Sequence, residues 1–191
     1  MKLIDIFRYH DNWQMVKDAA LNTIGLTKGK YPDDEWKKAM LRAEHSPIRL
    51  IKVYWRWKGL KYWVSVHFSR HKIGIEHWVK TQRTDRTGVD RDDLPQGSLV
   101  NHSCEADAQA LINVSRRRLC SCASDKTREA WKEVKEEISK VDPELASCMV
   151  RECIYRGFCP EEKLNGGCGY VKTKAYEEEL RKYRGEEAWN D

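Results

Sequence analysis

Between Ile51 and Trp57 apolar and polar side chains alternate without a break: Ile51, Val53, Trp55 and Trp57 on one side, Lys52, Tyr54 and Arg56 on the other. Only an extended chain places every second residue on the same side, so this stretch reads as a strand with one buried and one wet face. Lys58-Gly59 carries a turn signal, and Leu60, Tyr62, Val64, Val66 and Phe68 alternate again. The pattern predicts a β-hairpin over about residues 51 to 68, inside a half-buried antiparallel sheet.

Helical spacing brackets this region. Trp13, Val16, Ala19 and Ala20 recur on one helix face, and Gly25 is placed to end that helix. Pro32 opens a second helix whose first turn holds Asp33, Asp34 and Glu35, as the helix dipole favours, with Trp36, Met40 and Leu41 as its apolar stripe. Ala106 to Leu119 reads as a third helix with Ala110, Leu111, Val114 and Leu119 turned inward. Ser124 or Asp125 caps the next, where Ala130, Trp131, Val134, Ile138 and Val141 form the apolar face. Pro143 begins a short helix, and the last twenty residues, rich in Glu, Lys, Arg and Tyr, read as a solvated terminal helix. The expected fold is α+β: a twisted, mainly antiparallel sheet with packed helices, plus a Cys-rich C-terminal segment. The expected division is 1–147 for the α+β domain and 148–191 for the Cys-rich extension with its terminal helix.

The net charge of +5, from 35 Lys and Arg against 30 Asp and Glu, is a mild excess that suits an anionic small ligand. It falls short of a protein that coats nucleic acid, so nucleic acid is not the expected partner. No stretch approaches the roughly 20 apolar residues of a membrane span, and Met1 to Asp5 lacks a signal-peptide run. A soluble cytoplasmic protein is the expectation. Seven cysteines without a secretion signal are expected to be reduced thiols or metal ligands.

Polar groups with chemistry in them cluster in a few places. Arg70-His71-Lys72 sets two fixed cations and an imidazole at the end of the second alternating run, a cluster suited to phosphates and an anionic ring. Gln82-Arg83 follows a short amphipathic turn, and Glu44-His45-Ser46-Pro47-Ile48 precedes the first strand. Thr84 to Gly97 is a charged loop of lid-like length; the interleaved arginines neutralise Asp85, Asp90, Asp92 and Asp93, and no EF-hand pattern supports calcium.

In this order these segments resemble the flavin-dependent thymidylate synthases, over about residues 13 to 140. Glu44-His45-Ser46-Pro47-Ile48 resembles that family's Ser-Pro segment. Arg70-His71-Lys72 resembles the start of its signature R-H-R-x-x-S-x-N-E-x-S-x-R-Y, and Thr81-Gln82-Arg83 resembles its end. Asn113 with Arg117 or Arg118 resembles the late Asn-x-Arg helix, and Ala130-Trp131-Lys132-Glu133-Val134 the final Ala-Gln-x-Glu-Ile helix. Here Lys72 replaces the third signature residue, Ile75 its first Ser, His77-Trp78-Val79 its Asn-Glu pair, and Trp131 the late Gln, while Arg49 stands where Glu is usual.

The resemblance implies FAD-dependent transfer of a one-carbon unit to dUMP in a homotetramer, with methylenetetrahydrofolate and NADPH as cosubstrates. It implies Arg70, His71 and Lys72 toward FAD; Gln82, Arg83, Arg117 and Arg118 toward dUMP; Thr81 polarising the uracil ring; and His45 at the flavin or folate face. Two other functions fit the same residues. One is a non-catalytic nucleotide-binding relative, to which the lost Asn-Glu pair points. The other is a nucleic-acid-binding module built on Arg116-Arg117-Arg118 and the Cys-rich tail; that basic run otherwise reads as a solvated face.

Cys148, Cys153, Cys159 and Cys168 supply four soft ligands in a Gly-rich stretch, the set a tetrahedral zinc would take. Their loose spacing leaves buried inert thiols as the alternative, with an iron–sulfur cluster the weaker metal reading. Cys120 and Cys122 are expected to be packing residues.

Overall fold

The computed structural model describes residues 2–186, and Asn165 only through its backbone. The part of the expected terminal helix beyond residue 186 lies outside the described residues. Two compact units divide the chain.

The first unit, residues 1–33 and 45–110, is built on an antiparallel sheet ordered β1-β2-β4-β3. Its strands are β1 (Ile4–His10), β2 (Lys52–Lys61), β3 (Ile75–Val79) and β4 (Leu99–Asp107). Helix α1 (Trp13–Asn22) leads to a 3-10 helix at Ser46–Leu50, where Pro47 supplies the fixed φ that a helix start favours. The expected alternation holds along β2: Val53, Trp55 and Trp57 are fully buried.

The predicted hairpin does not form. Gly59 adopts φ +73°, and the β2–β4 pairing slips between Trp57 and Leu60, so Lys58-Gly59 makes a bulge within one strand and not a reversal. Beyond it Tyr62–Ser69 is helix α3, not a strand. Val64 and Phe68 are four apart and both buried, a spacing that serves a helix face, while Val66 is exposed. The neighbours of β2 are instead β1 and β4. The turn expected after Lys72 contains β3, and the charged loop holds α4 (Thr84–Thr87) and a 3-10 turn at Arg91–Asp93. There Asp85 pairs with Arg83 and Arg86, as the interleaved charges suggested.

Aromatic packing fills the space beneath the sheet. Trp57 stacks on Phe68 at 4.5 Å, meets Trp55 edge-on at 5.4 Å, and faces the His102 ring at 5.5 Å. Trp55 and Trp57 are therefore core residues of the unit.

The second unit, residues 34–44 and 111–191, is helical where described. It holds α2 (Asp34–Arg42), most of α5 (Ala108–Arg118), α6 (Asp125–Ser139), α7 (Pro143–Cys148), α8 (Glu152–Arg156), α9 (Glu162–Asn165) and α10 (Lys174–Arg184). The α6 face forms as expected, with Ala130, Trp131, Val134 and Ile138 buried; Val141 lies past the helix end and is exposed. Trp131 Nε1 donates to Ser115 Oγ at 2.9 Å, and Ser115 in turn donates to the Leu111 carbonyl at 2.7 Å, so the indole enters the core with its polar atom satisfied. Asp142 caps α7 by accepting from the Leu145 amide at 2.9 Å. The boundary drawn from sequence at 147/148 falls at the end of α7, inside this unit.

Replacing Trp57 by Ala is expected to cost roughly 3–5 kcal/mol of unfolding free energy, the range for emptying a buried aromatic site. Trp78, 54% exposed on the other side of the sheet, is expected to cost less than about 1 kcal/mol when cut to Ala. Urea denaturation of the two variants checks the contrast.

Candidate functional site

Three features of the first unit position the sequence-predicted polar residues. The first is Asp107, where β4 becomes α5. Its Oδ1 accepts from the Ala110 amide at 2.8 Å, capping the helix, and its Oδ2 lies 3.7 Å from Lys52 Nζ. Its own amide donates to the Gly74 carbonyl at 2.9 Å. Gly74 sits at φ +71°, and a Cβ there would fall 2.7 Å from the Asp107 carboxylate. Only glycine lets the turn after Arg70-His71-Lys72 press this closely on the sheet end.

The second feature is a chain of polar groups in the core. His77 Nε2 lies 2.7 Å from the His71 carbonyl oxygen. A carbonyl only accepts, so Nε2 carries a proton and, in the neutral ring, Nδ1 is an acceptor. His102 Nε2 then donates to His77 Nδ1 at 3.0 Å, and Ser65 Oγ donates to His102 Nδ1 at 3.0 Å. Cys104 Sγ lies 3.3 Å from the same His77 nitrogen. Burial, then the neighbouring His77, holds His102 down to about 4, and burial pushes the Cys104 thiol well up, so both are neutral near pH 7. A second proton on His77 would reverse the direction of the chain, forcing His102 to donate to Ser65. His77, His102 and Cys104 place three ligand-type atoms within 4.8 Å of one another. Each already has a protein partner, so the trio is complete as a hydrogen-bonded core. Sequence reasoning missed it, although Val100, His102, Cys104 and Ala106 alternate as β2 does.

The third feature is a cavity of about 230 Å³ lined by Tyr62, Val79, Lys80, Thr81, Gln82, Arg83 and Arg91. It brings Thr81, Gln82 and Arg83 together, with two further cations. Arg83 is engaged: its Nε and a terminal nitrogen donate to the two Asp85 oxygens at 3.0 and 2.9 Å, and its amide donates to Thr81 Oγ1 at 3.2 Å. The Arg83–Asp85 pair is exposed, so a phosphate can exchange for the carboxylate at little cost. Arg70 and Lys72 are exposed at the end of α3, and His71 is half-buried. His45 is exposed, at the start of the 3-10 helix.

Arg117 and Arg118 belong to the second unit. The basic run there is not a bare stripe. Arg116 pairs with Glu44 and lies 3.5 Å over the Tyr155 ring, and Arg117 reaches Glu161 at 3.8 Å. This engagement argues against a surface laid out for nucleic acid.

The cysteines also differ from expectation. Cys120 and Cys122, expected to be packing residues, line one cavity of about 240 Å³ with Cys153, Cys159 and Cys168. Cys122 is exposed, in the turn between α5 and α6. Cys148 does not line this cavity; it is buried at the end of α7 beside Ser147. Burial, then the nearby Cys120, pushes Cys153 up to about 11. The signal available in the sequence was the Cys-x-Cys pair directly after the basic run.

No family model and no curated protein matches the sequence. Solved structures do. Flavin-dependent thymidylate synthase from Helicobacter pylori, complexed with FAD and dUMP, is similar with a TM-score of 0.60 at 11% identity, over 78% of this chain and 99% of that one. The fold is that of the flavin-dependent thymidylate synthases. A UMP/dUMP methylase from Streptomyces cacaoi, bound with 5-Br dUMP, is similar with a TM-score of 0.59 at 12% identity, over 80% of this chain and 95% of that one. At these identities the likeness is one of fold. Among the described residues, no helix is long and apolar enough to cross a membrane.

The His102 environment sets a pH dependence. The unfolded imidazole takes a proton near 6.5 while the folded one waits until about 4, so stability is full above 6.5 and falls as pH drops from 6.5 toward 4. The loss amounts to about 3 kcal/mol across that window. Urea midpoints at pH 7 and 4.5, with imidazole nitrogen shifts followed by NMR, check it; a His102 that titrates near 6.5 in the folded protein contradicts it.

Proposed function

We propose that this chain binds dUMP and FAD and transfers a one-carbon unit to the uracil ring, making thymidylate or a related modified pyrimidine nucleotide. What carries the reading is that the fold extends over nearly the whole length of two enzymes, one complexed with FAD and dUMP and the other bound to a dUMP analogue. The residues present suit such ligands. The cavity at Thr81-Gln82-Arg83 offers two guanidiniums and an ammonium, the donor set a nucleotide phosphate takes. In this reading Gln82, Arg83, Arg117 and Arg118 hold dUMP, and Thr81 donates toward the ring oxygen on which charge develops. Arg70, His71 and Lys72 lie along FAD, with His45 at the flavin or folate face. Bound FAD supplies the hydride chemistry, and the protein orients the ring and supplies charge. Methylenetetrahydrofolate as one-carbon donor, NADPH as reductant, a homotetramer and a cytoplasmic setting complete the proposal.

A nucleotide-binding relative without the chemistry is the second reading. It is favoured by His77, which stands within the stretch replacing the Asn-Glu pair and is committed to the His71 carbonyl and His102.

Purified full-length protein is expected to take up FAD, and dUMP to perturb the flavin spectrum. Replacing Arg83 by Ala should weaken dUMP binding about ten- to a hundredfold by calorimetry, the loss of a charge-assisted contact. Binding of dUMP without FAD, and without turnover, selects the second reading. Protein that binds neither ligand rejects both.

A further inference from the structure

The five cysteines of one cavity lie wholly within the second unit and have no part in the nucleotide reading, although Arg117 and Arg118, assigned there to dUMP, also line the cavity. Three chain segments converge on it: Cys120 and Cys122 from the α5–α6 turn, Cys153 from the first turn of α8, and Cys159 and Cys168 from the loops on either side of α9. The five are free thiols. Arg116, Arg117 and Arg118 also line the cavity, together with Glu152 and Glu161. The two carboxylates are paired with arginines, Glu152 with Arg156 outside the cavity lining and Glu161 with Arg117. Among the described residues, the buried Nε–H of Arg116 meets no acceptor. A buried guanidinium donor left over in this way is costly unless an anionic group completes it.

We propose that this cavity holds an iron–sulfur cluster ligated by four of Cys120, Cys122, Cys153, Cys159 and Cys168, with Arg116 offsetting its negative charge. The choice of metal follows from spacing. A single zinc at about 2.3 Å from each sulfur draws four thiolates to within about 4 Å of one another. Among the described residues no three of these sulfurs lie within 4.8 Å of each other. An iron–sulfur cluster spreads its thiolates wider, because its own edges separate them. The cluster would tie the α5–α6 turn to the loops around α9 and so act as a staple for a segment rich in short helices.

The test uses the full chain, purified and reconstituted without oxygen with ferric iron, sulfide and a thiol reductant. Iron, acid-labile sulfide and zinc are assayed per chain, and electron paramagnetic resonance is recorded after reduction; none of these depends on nucleotide or flavin binding. The expected result is iron and sulfide in matching stoichiometry, a reduced-cluster signal, and a lower Tm after chelation. The double variant Cys159→Ser, Cys168→Ser should bind at least tenfold less iron than the wild type, while Cys148→Ser, outside the cavity, keeps the wild-type content. Should the double variant fail to fold, the wild-type assay still decides. Wild-type protein without iron and sulfide after reconstitution overturns the proposal, as does zinc alone, or iron that Cys148→Ser removes and the double variant retains.

Discussion

Asp107 is the joint on which the first unit turns. One carboxylate ends a central strand, caps the helix that follows, meets Lys52 on the neighbouring strand, and leaves room for Gly74 alone. Each of these is a modest interaction, about 1 kcal/mol for a cap and less for a half-exposed ion pair. Their coincidence on one buried side chain does what none does singly. It fixes where α5 begins, and it fixes the turn that follows Arg70-His71-Lys72. The cations reach solvent from a rigid base because the backbone two residues beyond them is clamped to the sheet.

The same turn is held from beneath by the histidine chain. His77 donates to the His71 carbonyl, so the backbone between two candidate cofactor-facing side chains is wired to a core imidazole pair. Burial keeps His102 neutral, and the His71 carbonyl, which can only accept, sets the tautomer of a neutral His77 and with it the direction of the chain, from Ser65 to the turn. The aromatic wall of Trp57 and Phe68 gives that neutrality its physical basis, since it excludes the water that would stabilise imidazolium. Core packing, proton placement and the position of a functional turn are thus one problem for this protein.

Much of this was legible in residue order. The α6 stripe and the buried face of β2 follow directly from periodicity, because each is long and strictly patterned. The α3 segment misled because its run of apolar residues satisfies two periods at once, and only the register slip at Gly59 shows that β2 does not reverse. Strand β4 was hidden by chemistry: His102 occupies a core position usually filled by a hydrocarbon side chain and breaks the apolar alternation of Val100, Cys104 and Ala106. In the site, the Thr81-Gln82-Arg83 grouping was legible as neighbours in sequence. The cysteine cavity was legible in part: Cys153, Cys159 and Cys168 stand out as a set of soft ligands, but Cys120 and Cys122 come from a segment about thirty residues earlier whose spacing does not signal convergence with them.

Ion pairing divides the arginines into those that can move and those that cannot. Arg83 and Asp85 are both more than half exposed, so their pair is worth at most about 1 kcal/mol, little enough for a doubly charged phosphate to displace the carboxylate. Arg116 and Glu44 are each more than three-quarters buried, and the guanidinium also lies on Tyr155. Parting that pair would strand two charges away from water, at several kcal/mol. Arg83 therefore suits a ligand that comes and goes, whereas Arg116 suits a permanent neighbour. A fixed cation with one unfilled donor suits a resident anionic centre better than a passing nucleotide, and this separates Arg116 from Arg83.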